Sequence, residues 1–199
     1  MAMIARPEEI KEKIKTVLTQ REREVLDRKD ARTSAVLIPL FEKENNLFLF
    51  FTRRTKRVKY HKGQISFPGG EFQDSDGSKH HTALRETEEE VGLQPGDVEI
   101  LGILDDVFTY TSNYIITPYI GYTLLPLPYE FQRNEVETAE MIVIPLHAFS
   151  ERSSCRKGDF SFHGSRVESN YFKYENYLIW GATAGILTQF LEIAVWESD

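Results

Sequence analysis

The spacing of apolar residues along the chain changes several times, and each change marks an element. From Pro7 to about Asp27, Ile10, Ile14, Val17 and Leu18 recur at helical spacing, and Pro7 suits a first helical position followed by acidic Glu8 and Glu9. This predicts a leading amphipathic helix. After the polar run "RKDARTS", the segments "AVLIPLF" and "NLFLFFTRR" are short and apolar, which predicts two strands of a hairpin about the charged turn "EKEN". In "SKHHTALRETEEEVGL" the helical period returns: Leu84, Thr87 and Val91 share one face, and Gly92 stands where a helix would stop.

The remainder alternates or runs apolar. "VEILGILDDVFTY", "YIITPYIGYTL" and "EMIVIPL" predict strands, "FSFHG" and "NYFKYENYLIW" add shorter ones, and "GATAGILTQFLEIAVW" predicts a closing helix. Strands on both sides of a short acidic helix, with helices at both ends, imply an α/β fold whose mixed sheet is covered on two faces. The sequence shows no internal repeat or low-complexity stretch.

Composition narrows the class. A chain of 199 residues with 41% hydrophobic residues can bury a core, as one domain or as one domain with a terminal extension. Its formal net charge of -7 argues against non-specific nucleic-acid binding. A lone cysteine, Cys155, excludes an intramolecular disulfide and a cysteine-rich zinc site, and fits a reducing compartment. The opening "MAMIARPEEIKEK" has no long apolar core, and no later run approaches the roughly 18 apolar residues of a membrane span. These features lead us to expect a soluble, cytoplasmic chain with no membrane partner.

The candidate chemistry lies in the acidic helix. Glu86, Glu89 and Glu90 would share a face while Glu88 points away, so three like charges crowd the end of a helix whose macrodipole already disfavours anions. A hard divalent cation, Mg²⁺ or Mn²⁺, would offset that cost by taking carboxylate oxygens. A solvated glutamate-rich face is the plain alternative.

What precedes the helix adds a second signal. Gly70 followed by "RETEEEVGL", Arg85 to Leu93, resembles the signature box of the Nudix hydrolases, which cleave nucleoside diphosphates linked to another moiety using divalent metal. Gly70, Arg85, Glu86, Glu89, Glu90, Gly92 and Leu93 stand in place. Asp76 replaces the usual glutamate, eight residues rather than seven separate it from Arg85, and Thr87 replaces an aliphatic residue. Asp76, followed by Gly77, reads either as a turn residue or as a metal or salt-bridge partner. The resemblance implies a Nudix α/β/α sandwich with a mixed β-sheet between helices, in which Glu86 and Glu90 are metal ligands. It makes Glu89 a third ligand or a water-orienting group, has Arg85 brace the box, and lets the backbone of Gly69 and Gly70 approach the diphosphate.

The segment "FFTRRTKRVKYHKGQISFPGG", Phe50 to Gly70, is similar to the extended signature of the coenzyme A diphosphatase branch of that family, with Thr52, Arg54, Gly63, Phe67, Pro68, Gly69 and Gly70 in register. Phe50 and Phe51 stand for two leucines, Thr55 for a small residue and Lys59 for an arginine, which loses bidentate contacts. The C-terminal "LIWGATAGIL" is like that branch too. The resemblance spans roughly residues 35–191, which implies a Nudix hydrolase domain over 31–199 and an N-terminal helical extension over 1–30. It implies coenzyme A or a derivative as the small-molecule substrate, cleaved to 4′-phosphopantetheine and adenosine 3′,5′-bisphosphate. Other Nudix substrates such as ADP-ribose, dinucleotides or nucleoside triphosphates remain the alternative, as does a non-catalytic nucleotide-binding module. Arg54 belongs to the substrate-binding set, and Arg57, Lys59 or Lys62 could meet the 3′-phosphate. Homodimerisation fits the family.

Family members often take a general base from a loop outside the box. Here that loop is "QRNEVETAEMIVIPL", with Glu135 and Glu137 as first candidates and Glu89 as an alternative; each also reads as a surface glutamate. His61, His80 and His81 lack paired zinc spacing and read as surface residues. Tyr110, Tyr114 and Tyr119 lie on predicted strands and read as core packing.

Overall fold

The structure is a computed structural model that describes residues 6–55, 63–125, 127–162 and 165–196. Its first element, α1 (Pro7–Gln20), buries Ile10 and Ile14. The helix stops seven residues short of the sequence expectation. Its apolar stripe ends at Leu18, so further turns would have nothing to bury. The chain from Arg21 onward instead runs extended across the sheet, where Arg21 and the Glu24 amide bind Asp105, and Arg23 and the Leu26 amide bind Asp106. Val25 is 62% exposed, so it adds little to the core.

Strands β1 (Arg32–Lys43) and β2 (Asn46–Arg54) form the expected hairpin, tighter than predicted: Lys43 pairs with Asn46 and only Glu44 and Asn45 turn, both at positive φ. The two strands pair from Leu40 to Lys43 and then diverge. Short β3 (Ile65–Ser66) pairs with β2, and β4 (Gly69–Glu71) pairs with β1, filling the gap between them. This splayed wedge places the glycine pair at the heart of the sheet.

Beyond α2 (Lys79–Val91) the chain forms β5 (Val98–Ile103), β6 (Val107–Thr109), β7 (Tyr114–Thr123) and β8 (Thr138–Pro145). β7 runs parallel to β1, and the remaining pairings are antiparallel, giving a mixed eight-stranded sheet. The stretch "VEILGILDDVFTY" is therefore two strands rather than one, broken where Asp105 and Asp106 receive the N-terminal segment. Tyr110 follows β6 and is 82% exposed, which corrects its reading as core; Tyr119 is buried and Tyr114 half-buried.

Alternation along β1 divides the core. Ala35, Leu37 and Phe41 pack with Phe50 against Ala83, Leu84 and Val91 of α2. Ile38 and Leu40 pack with Phe51 on the other face, against Ile10 and Ile14 of α1 and Leu187, Phe190 and Leu191 of α3 (Gly181–Ala194). The result is an α/β/α sandwich, as expected. Burying each of these large side chains contributes about 1.5–3 kcal/mol. One feature was not foreseen: β9 (Cys155–Phe162), β10 (Ser165–Tyr174) and β11 (Tyr177–Trp180) form a separate three-stranded antiparallel sheet. "NYFKYENYLIW" is a hairpin, turning at Glu175 with φ 50°.

Candidate active site

Helix α2 is fixed at both ends. Ser78 Oγ accepts from the His81 amide at its start, and Gly92 adopts the left-handed conformation at its end, donating to Glu88 O. Leu84, Thr87 and Val91 are buried as their spacing predicts. Thr87, unusual at an aliphatic position, donates its hydroxyl to Ala83 O at 2.7 Å, so its burial leaves no orphan donor.

The crowded carboxylates end the helix because its carbonyls are covered. The 124–137 loop donates Gln132 N to Val91 O and Asn134 N to Glu90 O, both at 3.0 Å, and Tyr129 OH to Gly92 O at 3.3 Å. Phe131 anchors this loop against Phe41, Phe50 and Tyr129. These backbone donors supply what the macrodipole lacks. They carry no residue signature, so sequence reading found the loop only through its glutamates.

Among the described residues Glu90 is the most perturbed group. Its side chain is 4% exposed, and Oε2 has no hydrogen-bond partner. Burial raises its pKa to about 8 against the lowering influence of Arg54, while the charges of Glu86 and Glu137 raise it further. Arg54 Nη1 is 3.4 Å from Oε1, at the limit of a hydrogen bond. Glu86 is also raised, first by burial and then by Glu89 and Glu137, with Arg85 opposing. Its carboxylate lies beneath Gly70, where an added Cβ would stand 2.7 Å from Oε1. Gly69, at φ 150°, lies so close to β1 that a Cβ would come within 2.6 Å of Val36 Cα.

Arg85 holds the array together. Its Nε and Nη2 grip Asp76 at 2.7 and 3.1 Å, while Nη1 reaches Glu86 at 2.8 Å and Glu89 at 3.2 Å. Asp76 also accepts from the Gln73 amide and the Thr82 hydroxyl. The Arg85 hydrogen bonds hold its carboxyl well below the usual carboxylate range. Asp76 is thus both a turn residue, preceding left-handed Gly77, and the salt-bridge partner of Arg85.

The structure separates the other candidates. Glu137 is half-buried and its charge bears on both Glu86 and Glu90. Glu135 is 80% exposed and pairs with Arg133. Glu89 is 58% exposed and turned to Arg85. Arg57, Lys59 and Lys62 lie outside the described residues. Among the described residues no three acidic, histidine or cysteine side chains already converge on one point, because Glu86 leans on Arg85 and Glu90 on Arg54. Even so, a buried orphaned carboxylate oxygen and three mutually repelling glutamates form a donor set suited to a hard divalent cation.

This geometry belongs to a known class: residues 31–161 match the NUDIX domain family, and the chain is a member of the Nudix hydrolases. Such enzymes generally use divalent ions such as Mg²⁺ or Mn²⁺. Among its relatives is a protein called Uncharacterized Nudix hydrolase NudL from Escherichia coli (strain K12). It is 37% identical over 169 residues, covering 82% of this chain and 84% of that protein. A relative of the same name from Photorhabdus laumondii is 36% identical over 161 residues, covering 81% and 84%. The fold is similar to the crystal structure of a MutT/nudix family protein from Enterococcus faecalis, with a TM-score of 0.53 at 15% identity, covering 95% of this chain and 74% of that one. No helix among the described residues is long and apolar enough to cross a membrane.

Proposed function

We propose that this chain is a metal-dependent diphosphatase acting on coenzyme A or a derivative, releasing 4′-phosphopantetheine and adenosine 3′,5′-bisphosphate. The observation that carries the diphosphatase reading is Glu90, a buried carboxylate with an unpartnered oxygen, set beside Glu86 and Glu137 beneath the Gly69–Gly70 backbone. Support for coenzyme A comes from the sequence, where Thr52, Arg54, Gly63 and Phe67 to Gly70 keep the spacing of the coenzyme A diphosphatase signature.

Glu86 and Glu90 would hold Mg²⁺ or Mn²⁺ in this reading, with Glu89 as third ligand or water-orienting group, and a cation bound there would acidify water and neutralise phosphoryl charge. Glu137 is the favoured base, since its charge already acts on both ligands, and Glu135 is the alternative. Arg85 keeps Glu86 and Glu89 in place through its anchor on Asp76. Arg54, released from its long contact with Glu90, meets the diphosphate, and Arg57, Lys59 or Lys62 meets the 3′-phosphate. Gly69 and Gly70 admit the diphosphate because no side chain intervenes.

The test is chromatography of coenzyme A incubated with the protein and Mg²⁺ or Mn²⁺, beside Glu90→Gln and an ADP-ribose control. Metal-dependent appearance of adenosine 3′,5′-bisphosphate, lost in the variant, is the expected result. Cleavage of ADP-ribose with coenzyme A intact would transfer the reading to another Nudix substrate.

A further inference from the structure

Strand β8 follows β2 position by position from the Phe48–Pro145 pair to the Arg53–Glu140 pair and then skips Ala139, so that Arg54 pairs with Thr138. Ala139 is the extra residue of a β-bulge, and its carbonyl accepts from Arg133 Nη1. The skip draws Glu137 one position closer along β2, opposite Thr55. The Thr55 amide donates to Glu137 O at 2.8 Å, and Thr55 Oγ1 donates to Val136 O at 2.7 Å. These two carbonyls belong to the planar peptides on either side of the Glu137 Cα. The N–H groups of the same two peptides, those of Glu137 and Thr138, donate to Asn134 O at 3.2 and 2.8 Å. Each peptide is therefore held at its carbonyl and at its amide, and two fixed planes leave the Glu137 Cα–Cβ bond one direction.

We propose that Thr55 is the positioning residue for Glu137, an inference that rests on the diphosphatase reading above, with Glu137 as its base, and extends it. The loop itself offers little apolar anchorage at this point, since Val136 is 64% exposed and the Glu135 side chain 80% exposed. Thr55 is buried, so water competes little for its hydroxyl. Its predecessor Arg54 reaches Glu90 at 3.4 Å. One dipeptide of β2 thus touches a proposed metal ligand through its first residue and seats the base through its second. The relation between the two carboxylates is set by a strand rather than by the loop alone, which favours precision.

The test compares Thr55→Val and Thr55→Ser with wild type in steady-state kinetics with Mg²⁺, using whichever of coenzyme A and ADP-ribose the wild type cleaves. Hydrogen exchange over residues 133–141 of the metal-free protein is followed in parallel. Valine keeps the shape and the backbone amide bond but removes the hydroxyl. A general base contributes about 10²–10⁴-fold, so its partial unseating in Thr55→Val should lower kcat roughly tenfold at little change in KM. Exchange of the Glu137 and Thr138 amides should quicken in the same variant. Thr55→Ser, which keeps the donor, should recover both. Thr188→Val deletes a hydroxyl from α3, on the opposite face of the sheet, and should leave kcat and this exchange unchanged. An unchanged kcat or unchanged exchange in Thr55→Val, no recovery in Thr55→Ser, or an equal fall in Thr188→Val would each overturn the role of Thr55 while leaving the diphosphatase reading in place. A wild type that cleaves neither substrate would overturn that reading and this proposal with it.

Discussion

The backbone amide of Asn134 donates to the carbonyl of Glu90 at 3.0 Å, so the loop bearing Glu137 is fastened to the residue with the most perturbed carboxylate among the described residues. Asn134 is also the hub of its own turn. Its carbonyl accepts from the Glu137 and Thr138 amides, and its Oδ1 accepts from the Val136 amide at 3.1 Å. Asn134→Ala deletes the last of these bonds, which costs about 0.5–1.5 kcal/mol. The expected outcome is a Tm lowered by a few degrees and kcat reduced several-fold at little change in KM, with Asn134→Asp restoring both. Thermal melts and steady-state kinetics read this; an unchanged kcat would separate Asn134 from the seating of Glu137.

The two glycines of β4 should fail differently. A methyl group at Gly70 meets the mobile end of Glu86, so Gly70→Ala should fold but displace that carboxylate, at a cost of ~10²-fold in activity. At Gly69 the methyl meets Val36 backbone and the φ of 150° is itself unfavourable, so Gly69→Ala should lower Tm more than Gly70→Ala. Melting curves beside activity assays separate the two effects.

Glu90 predicts an inversion by metal. With its pKa at about 8 in the fold and ~4.3 in the unfolded chain, the folded protein binds the extra proton between those values. Metal-free stability therefore falls as pH rises through this window, then levels above it. Glu90→Gln should melt higher than wild type at pH 8 without metal. Adding Mg²⁺ or Mn²⁺ should raise wild type and leave the variant nearly unmoved, since only a folded state that binds the ion gains from it. The reverse order in metal-free melts would mean that burial does not penalise the Glu90 charge.

The N-terminal segment offers a matched pair. The Asp106 side chain is fully buried and accepts from Arg23, the Leu26 amide and the Thr117 hydroxyl. Asp105, the partner of Arg21, is 27% exposed. Arg23→Met should cost about 3–5 kcal/mol by stranding a buried charge. Arg21→Met, whose partner water can reach, should cost about 1 kcal/mol or less. Denaturant titrations that rank the two equally would contradict the burial argument.

What the sequence by itself determined is what depends on near neighbours: the β1–β2 hairpin, the α2 period with its Gly92 stop, and the spacing that aligns Gly70, Arg85, Glu86 and Glu90. Period and turn chemistry act over a few residues, so they can be read from order alone. The length of α1 was misread because its end is set by Asp105 and Asp106, some eighty positions away. The second sheet was hidden because its strands resemble those of the first. Only the tertiary structure distinguished Glu137 from Glu135, two positions apart and equal in type, by turning one toward the Glu86 and Glu90 charges and the other to solvent. It also supplied the Asn134 and Gln132 amides that cover the end of α2, since every residue but proline carries that donor and only the fold decides where it points.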